Sequence, residues 1–290
     1  SKCDSKEGAN AASKLINIDQ VKIILGGICS SEVLGAKELI EAHKTINFCW
    51  GSSPEITKDS DYIFRNSPSD LIAGMQLADY VYKNGYTQIG ILTVNDVFTD
   101  TFFNSFKKEF QVLGGQILIE ENNSRDSKDF RTSILKIKTK QPRALIFLHI
   151  DPKNTGLMAK QIRDQGLTGQ LFSAYTFSSP EAIEAAGYQN VKGLVYIDTP
   201  GLDMTNQTAK NFIEKYQSTY GDVFPGGQFY AAAAYDSVYL IARTIELCEE
   251  KTDCIKEILK GTKFSGALGE YSIDDNGDVV GIKYSIRTIE

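Results

Sequence analysis

The amino-acid sequence predicts an α/β fold made of two doubly wound lobes, each with a parallel sheet. Between residues 21 and 199, strand-like apolar runs alternate with amphipathic helical stretches, a pattern typical of parallel sheets. Residues 202–260 then read as helical throughout, and a terminal hairpin follows them. The composition agrees with this prediction, because 290 residues that are 42% hydrophobic and 23% charged can bury the cores of two domains.

The strand predictions rest on short runs of β-branched and other apolar residues, at 21–27, 45–51, 88–95, 116–121, 144–150, 170–176 and 193–199. The helix predictions rest on an apolar period near 3.6 residues, at 31–44, 69–83, 99–113, 129–138 and 153–165. Gly85 and Gly166 follow two of these stretches, as C-terminal caps do. Phe229–Leu247 is the longest predicted helix, and a turn at 274–278 joins the hairpin arms 270–273 and 279–289.

Charge and motif content exclude several classes of function. A net charge of −6 and a pI near 5.2, with no run of basic residues, argue against nucleic-acid and anionic-membrane partners. No apolar segment reaches the roughly 18 residues needed to span a bilayer. The chain starts in a polar stretch without Met, so we expect a mature or trimmed product. Nucleotide-binding, hydrolase and metalloprotease motifs are absent from the sequence, and the two histidines, His43 and His149, do not suit a catalytic triad. We therefore expect a protein that is not an enzyme and that binds no cofactor or metal.

Two strand-to-helix junctions carry the strongest functional signal. Residues 26–31 and 49–54 each end an apolar run with a pair of serines where the next helix would begin. A helix start offers free N–H groups, a positive dipole end and a serine hydroxyl, which suit a carboxylate or a phosphate. Neighbouring strand ends lie side by side in an open α/β sheet, so both junctions can serve one small anion. The alternative is that these serines only cap helices.

The five cysteines indicate the redox compartment. Cys248 and Cys254 bracket a short polar turn that a disulfide could close, and Cys3 and Cys29 each lie beside a strand end. Cys49 lies inside an apolar run and reads as a small buried hydrophobic residue. Disulfides would place the protein outside the reducing cytosol, whereas five free thiols would leave it inside.

Several short motifs, in order along the chain, resemble the leucine/isoleucine/valine-binding protein family. This family comprises type I solute-binding proteins of amino-acid ABC transporters and is related to the ligand-binding domains of metabotropic glutamate receptors. The motifs cover essentially the whole chain and are Cys3–Glu7, Gly27–Ser31, Ser53–Thr57, Arg65–Asp70, Ala234–Ser237 and Asp274–Asp278.

The resemblance implies a bilobed clamp that closes on a small ligand and performs no chemistry. The first lobe would comprise 1–84 and 201–274, and the second 85–200 and 275–290, with three crossings forming the hinge. It also implies a monomeric, extracytoplasmic protein, in the periplasm or on the cell surface, whose partners are its ligand and a membrane permease. Family members begin with a strand, a helix and a second strand, which we expect to be missing before Ser1.

The resemblance also assigns the carboxylate side of the ligand site. It places hydroxyls at Ser30 and Ser52, with backbone groups of Trp50 and Gly51 nearby, and Ile28 and Ser31 complete this set. Trp50 replaces a small family residue and so reshapes the pocket. A Cys3–Cys29 disulfide just before Ser30 is implied as well.

The opposite lobe matches the family less well, because Tyr175 stands where the family has an acid for the ligand's amine. Asp70, Phe98 and Asp151 map near it, and Asp151 is our expected replacement for that acid. The alternatives are helix capping for Asp70 and Asp151, and core packing for Phe98 and Tyr175. The ligand is expected to be a branched-chain amino acid; the alternatives are a small organic or aromatic carboxylate or amide, or a sensory receptor module of the same fold.

Overall fold

Strands and helices alternate along most of the chain. The structure is a computed structural model that describes residues 2–224 and 227–290. Within them the strands are β1 (Ile23–Leu25), β2 (Ile46–Cys49), β3 (Ile63–Arg65), β4 (Gln88–Val94), β5 (Gln116–Asn123), β6 (Ala144–Phe147), β7 (Gln170–Ser173), β8 (Val195–Asp198), β9 (Lys263–Gly266), β10 (Gly269–Ile273), β11 (Val279–Val280) and β12 (Ser285–Thr288).

The helices of the described residues are α1 (Ser5–Ser13), α2 (Ser30–Ala42), α3 (Asp70–Lys83), α4 (Val97–Val112), α5 (Arg131–Thr139), α6 (Pro152–Asp164), α7 (Pro180–Ala186), α8 (Tyr188–Val191), α9 (Gln207–Tyr220), α10 (Gln228–Cys248) and α11 (Thr252–Leu259). A π-helical turn, Lys14–Ile18, continues α1, and a 3₁₀ turn covers Tyr175–Ser178. None of these helices is long and apolar enough to cross a membrane.

The chain forms two compact units. The first consists of the described residues of Ser1–Ser69 and Pro200–Lys283, and the second of Asp70–Thr199 and Tyr284–Glu290, so the chain passes between them three times. The boundaries differ from the predicted lobes at two places. Helix α3 goes with the second unit because its buried face shares a core with α4. Residues 275–283 go with the first unit, where Arg65 N donates to Gly277 O at 2.9 Å and Arg65 Nε to Asp278 Oδ1 at 2.6 Å.

The first unit has a parallel sheet in the order β1-β2-β3 and a separate antiparallel sheet in the order β11-β10-β9. Strand β2 lies in the middle of the parallel sheet, and all four of its residues are buried. Its Phe48 packs into one core with Phe64 of β3 and with apolar residues of α2, α10 and α11. The middle strand is therefore held on both faces, which fixes the position of its C-terminal end.

The second unit has one sheet in the order β12-β8-β7-β6-β4-β5, parallel except for β12, which pairs antiparallel with β8. Two separate hydrophobic cores flank this sheet, one with α3 and α4 and the other with α5, α6 and α7. A sheet with helices on both faces is the doubly wound arrangement. The predicted α/β class is confirmed.

Sequence analysis did not predict some of these elements. Strand β3 has only three residues, too few to show a period, and α1 is rich in polar and small residues. The predicted hairpin arm 279–289 was wrong in its length, because β11 ends at Val280 and Gly281 adopts φ +106°. The chain then continues into β12, which joins the sheet of the second unit.

Both disulfides of the described chain lie in the first unit. They join Cys3 to Cys29 and Cys248 to Cys254. Cys49, at the end of β2, is a free and buried cysteine, and burial raises the pKa of its thiol to about 11. Cys49 is therefore a neutral, apolar part of the core.

Candidate functional site

The two serine junctions of the first unit lie against each other. Strands β1 and β2 are parallel neighbours, so their C-terminal ends meet at one edge of the sheet. Trp50 N donates to Gly27 O at 2.9 Å, and Ser53 N donates to Ser30 Oγ at 3.0 Å. We call residues 26–31 and 49–54 together the serine cradle.

Helix α2 begins inside the serine cradle. The alternative reading of its serines as helix caps does not hold here, because the cap is Cys29, which is extended at φ −94° and ψ 133°, while Ser30 is already helical. Ser30 is 6% exposed, and its hydroxyl accepts from Ser53 N without meeting an acceptor for its own hydrogen in the described chain. That hydrogen can be donated to a ligand beside the positive end of the helix dipole.

The other residues of the serine cradle have different surroundings. Ser31 is engaged locally, because its hydroxyl donates to Cys3 O at 2.7 Å. Ser52 is 8% exposed, whereas Ile28 is 47% exposed. Gly51 fits tightly: a Cβ there would stand 2.6 Å from Ile56 Cδ1 and 3.3 Å from Ser30 Cα. Glycine at 51 thus allows the loop to approach the start of α2.

Arg65 supports the loop of the serine cradle and was not among the predicted site residues. It is completely buried, and its Nη1 donates to Gly51 O at 3.1 Å and to Ser53 O at 2.9 Å. Its Nε forms an ion pair with Asp278 Oδ1, which also accepts from Thr57 Oγ1 at 2.8 Å. Arg65 Nη2 is buried without a hydrogen-bond partner in the described chain. The guanidinium therefore fixes the carbonyls of the loop, while Asp278 balances its charge.

The side chain of Trp50 is hydrogen-bonded to helix α10. Its Nε1 donates to Ser237 Oγ at 3.2 Å, and Asn66 Nδ2 donates to the same oxygen at 3.3 Å and to Ala233 O at 2.9 Å. The indole is half-buried, so its orientation is set by these bonds and by packing. A fixed, bulky side chain at this position limits the space next to Gly51.

In the second unit, three of the predicted residues lie together. Tyr175 Oη donates to Asp70 Oδ1 at 2.6 Å, and the ring of Tyr175 lies 5.2 Å from that of Phe98. Tyr284 also stacks with Tyr175, at a ring distance of 6.1 Å and an interplanar angle of 12°. Asp70 is fully buried and Phe98 is 8% exposed. We call Asp70, Phe98, Tyr175 and Tyr284 the Tyr175 cluster; sequence analysis missed Tyr284.

Asp151 has a different environment from the Tyr175 cluster. Its carboxylate accepts from Asn154 N at 2.8 Å and caps α6, and its own N–H donates to His149 Nδ1 at 2.9 Å. It lines a cavity of about 360 Å³ together with Arg125, Asp126 and Lys128. Burial lowers the pKa of His149, whose Nε2 faces Arg125 O at 3.0 Å. The expected role of Asp151 as the amine partner thus competes with helix capping.

The chemistry offered by the serine cradle is hydrogen-bond donation to an anion, without a nucleophile–base pair. In the described chain, the group of side chains close enough to share a metal ion is Cys3, Cys29 and Glu32. The disulfide between the two cysteines removes the thiolates that a metal would need.

Comparison with known proteins identifies a family model and relatives that match nearly the whole chain. A family model described as periplasmic binding protein matches residues 2–284. A leucine-, isoleucine-, valine-, threonine- and alanine-binding protein of Pseudomonas aeruginosa is 24% identical over an alignment of 290 positions. The alignment covers 98% of this chain and 75% of the relative. The Leu/Ile/Val-binding protein homolog 2 of Brucella abortus is 26% identical over 283 residues, covering 95% of this chain and 73% of the relative.

Solved structures show the same architecture. The leucine-binding protein LivK of Thermotoga maritima superposes with a TM-score of 0.89 at 26% identity, covering 98% of this chain and 81% of that one. A solute-binding protein of R. palustris, solved in complex with 4-hydroxybenzoate, gives a TM-score of 0.86 at 21% identity, covering 99% of this chain and 79% of that one.

Proposed function

Because the chain belongs to the periplasmic binding protein family, we propose that it is an extracytoplasmic solute-binding protein of an ABC importer. Its ligand is a small carboxylate. Branched-chain amino acids are the first candidates, since the P. aeruginosa and B. abortus relatives are named as binding proteins for leucine, isoleucine and valine. The observation that supports this proposal best is the contact of Ser53 N with Ser30 Oγ, which joins two serine-bearing strand ends into one cradle.

The serine cradle suits a carboxylate for three physical reasons. The start of α2 supplies a positive dipole end next to Ser30, the hydroxyls of Ser30 and Ser52 supply neutral donors, and Arg65, paired with Asp278, holds the carbonyls of the loop in place. The dipole end favours an anion over a cation, and the hydroxyls give that anion hydrogen-bond donors. The arrangement binds without reacting, which agrees with a transport role.

The proposed partner is the membrane permease of the importer, and the protein is proposed to act as a monomer in the periplasm or on the cell surface. Closure of the lobes on the ligand stays a prediction of the family resemblance. A ligand-sensing receptor module is the alternative from another functional class. The complete gene distinguishes the two, because permease genes beside it favour transport and a fused membrane helix favours sensing.

A specific observation favours a second class of ligand. In the Tyr175 cluster, the hydroxyl of Tyr175 already donates to Asp70, and Asp151 caps α6. Both acids that were expected to receive an ammonium group therefore have partners in the structure. A carboxylate with an apolar or aromatic body and no ammonium group is the second candidate.

A ligand screen tests both candidates. Amino acids, small organic carboxylates, amides and aromatic acids would be added to the 290-residue protein in a thermal-shift assay; a ligand at 100 times its Kd stabilises by about 2.7 kcal/mol. Calorimetry would then compare leucine with 4-methylpentanoate, its analogue without the amine. Clear preference for leucine supports the amino-acid proposal, and equal binding moves the protein to the second candidate.

The cradle itself is tested with Ser52→Ala. Loss of a hydroxyl that bonds a charged group should weaken binding of the best ligand by about 1.5 to 3 kcal/mol, measured by calorimetry. Ser218→Ala, which removes an exposed hydroxyl of the same unit, is the matched control and should leave the Kd unchanged. An unchanged Kd in Ser52→Ala, with the protein folded, contradicts the cradle.

A further inference from the structure

A row of aromatic side chains runs across the first unit, outside the serine cradle. Ring centroids lie 5.1 Å apart for Tyr220 and Tyr216, 5.0 Å for Phe212 and Tyr235, and 4.7 Å for Tyr235 and Tyr239. Tyr216 also contacts Phe212 at 6.0 Å, which makes the row continuous. Both ends face solvent, because Tyr220 is 73% and Tyr239 51% exposed. We call these five residues of α9 and α10 the aromatic strip.

Two cavities adjoin the aromatic strip and share Tyr235 as a wall. One, of about 460 Å³, lies between Tyr235, Tyr239 and Phe264. The other, of about 300 Å³, lies between Phe212, Tyr216, Tyr220 and Tyr235. These volumes fall in the range of about 300 to 1,000 Å³ that is usual for ligand sites lined by aromatic side chains and a few polar groups.

The larger cavity is lined by basic, acidic and hydroxyl side chains as well as by aromatic ones. Arg243 and Glu246 are exposed at its edge, and the described chain gives neither of them an ion-pair partner. Asp236 is 1% exposed, and its oxygens accept from Ala267 N at 2.7 Å and from Leu268 N at 2.9 Å. Thr208 and Ser265 also line the cavity, and they add hydroxyls.

The carboxylate site does not use this surface. Ser237, next to Asp236 on α10, contacts Trp50 of the serine cradle, whereas Asp236 lines the cavity of the aromatic strip. The proposed ligand of the serine cradle is anionic, whereas the larger cavity beside the aromatic strip presents both acidic and basic side chains. We therefore expect the aromatic strip and its two cavities to bind a second ligand, which differs chemically from the carboxylate of the serine cradle.

We propose that the aromatic strip binds a neutral oligosaccharide. A sugar ring has an apolar C–H face that packs on a tyrosine ring, and hydroxyls that both donate and accept hydrogen bonds. It can thus accept a hydrogen bond from Arg243 and donate one to Glu246 at the same time. Two adjoining cavities with a shared aromatic wall give places for successive sugar rings.

Other occupants fit the chemistry less well. A proline-rich peptide also packs on aromatic grooves, but its proline residues lack an N–H group and therefore cannot donate a hydrogen bond to Glu246. A strongly charged ligand would meet a like charge at either Arg243 or Glu246.

The proposal is tested by calorimetry of the 290-residue protein with cellohexaose, chitohexaose, maltohexaose and xylohexaose as probes. At least one should bind with a Kd of about 1 mM or tighter. Tyr220→Ala and Tyr239→Ala should each weaken that binding about tenfold, because each removes an exposed ring from the contact. Tyr188→Ala, an exposed tyrosine of the second unit, is the matched control and should bind as the wild type does.

The outcomes separate this proposal from the carboxylate proposal. The Tyr220 and Tyr239 variants should keep the thermal shift produced by the best small carboxylate, since neither residue belongs to the serine cradle. If none of the four probes binds, or if binding persists in the double variant Tyr220→Ala/Tyr239→Ala, the oligosaccharide proposal is wrong whatever the serine cradle binds. Binding of a proline-rich peptide in place of all four sugars would also overturn it.

Discussion

At the scale of single residues, Asp236 is unusual because it is a carboxylic acid on the buried face of α10. Burial raises its pKa to about 6, although the N–H groups of Leu268 and Ala267 act in the opposite direction. Gly266 makes room for it, since a Cβ there would stand 2.3 Å from both carboxylate oxygens. The acid thus ties α10 to the turn between β9 and β10.

Asp236 should make the stability of the first unit depend on pH. A pKa raised from 3.8 to about 6 means that the folded state holds the proton more tightly than the unfolded state. Its contribution to the free energy of unfolding is then complete below pH 3.8 and is lost as the pH rises through 6, a change of about 3 kcal/mol. Urea unfolding followed by Trp50, the single tryptophan, should show this decrease between pH 4 and 7.

Asp236→Asn should remove that pH dependence and lower stability throughout, because its amide NH₂ would face one of the two backbone N–H donors. The control is Asp222→Asn, an exposed acid of the same unit, which should keep the wild-type pH profile. The same profile in Asp236→Asn and the wild type would show that another group titrates.

The residues of the candidate site were only partly predictable. The positions of Ser30 and Ser52 at strand ends could be read from local sequence, because strand, turn and helix signals follow one another there. Arg65 and Tyr284 could not, because they act through partners 213 residues and 109 residues away, Asp278 and Tyr175. Local patterns carry no information about such contacts. Tyr175 was identified only as a departure from the family, and its bond to Asp70 needed the structure.

At the scale of elements, α1 fixes the start of α2, which carries Ser30. The two helices approach closely through two glycines: a Cβ on Gly35 would stand 2.2 Å from Ser5 O, and one on Gly8 would stand 2.5 Å from Glu32 O. Cys3 N donates to Glu32 Oε1 at 2.9 Å at the same end. Sequence analysis missed α1 because its close contact uses small residues, which give no apolar period.

Gly35→Ala should therefore destabilise the first unit by about 1 to 3 kcal/mol, the cost of forcing apart a close backbone contact. The higher helix propensity of alanine offsets about 1 kcal/mol of this at most. Urea unfolding followed by Trp50 emission gives the measurement. Glu38→Ala, on the exposed face of α2, is the control and should change stability by less than about 0.5 kcal/mol. A neutral effect of Gly35→Ala would mean that α1 is not held against α2 in solution.

At the scale of the whole molecule, the two units are stabilised by different means. The first unit has two three-stranded sheets and both disulfides of the described chain. The second has a six-stranded sheet with a core on each face and, in the described residues, no disulfide. Covalent links thus stabilise the unit with the smaller sheets.

Reduction of the disulfides should therefore destabilise the first unit and leave the stability of the second unit unchanged. Opening the Cys3–Cys29 link, which closes a loop of sequence separation 26, should cost about 3.5 kcal/mol, since the unfolded chain regains the entropy that the link removed. Hydrogen exchange with and without dithiothreitol gives the measurement: the amides of β2 should exchange faster in the reduced protein, while those of β6 should keep their rates. Cys49→Ala, which removes the buried free thiol but no disulfide, should respond to the reductant as the wild type does. Equal acceleration in β2 and β6 would show that the units unfold together, and the disulfides would then stabilise the whole protein rather than its first unit.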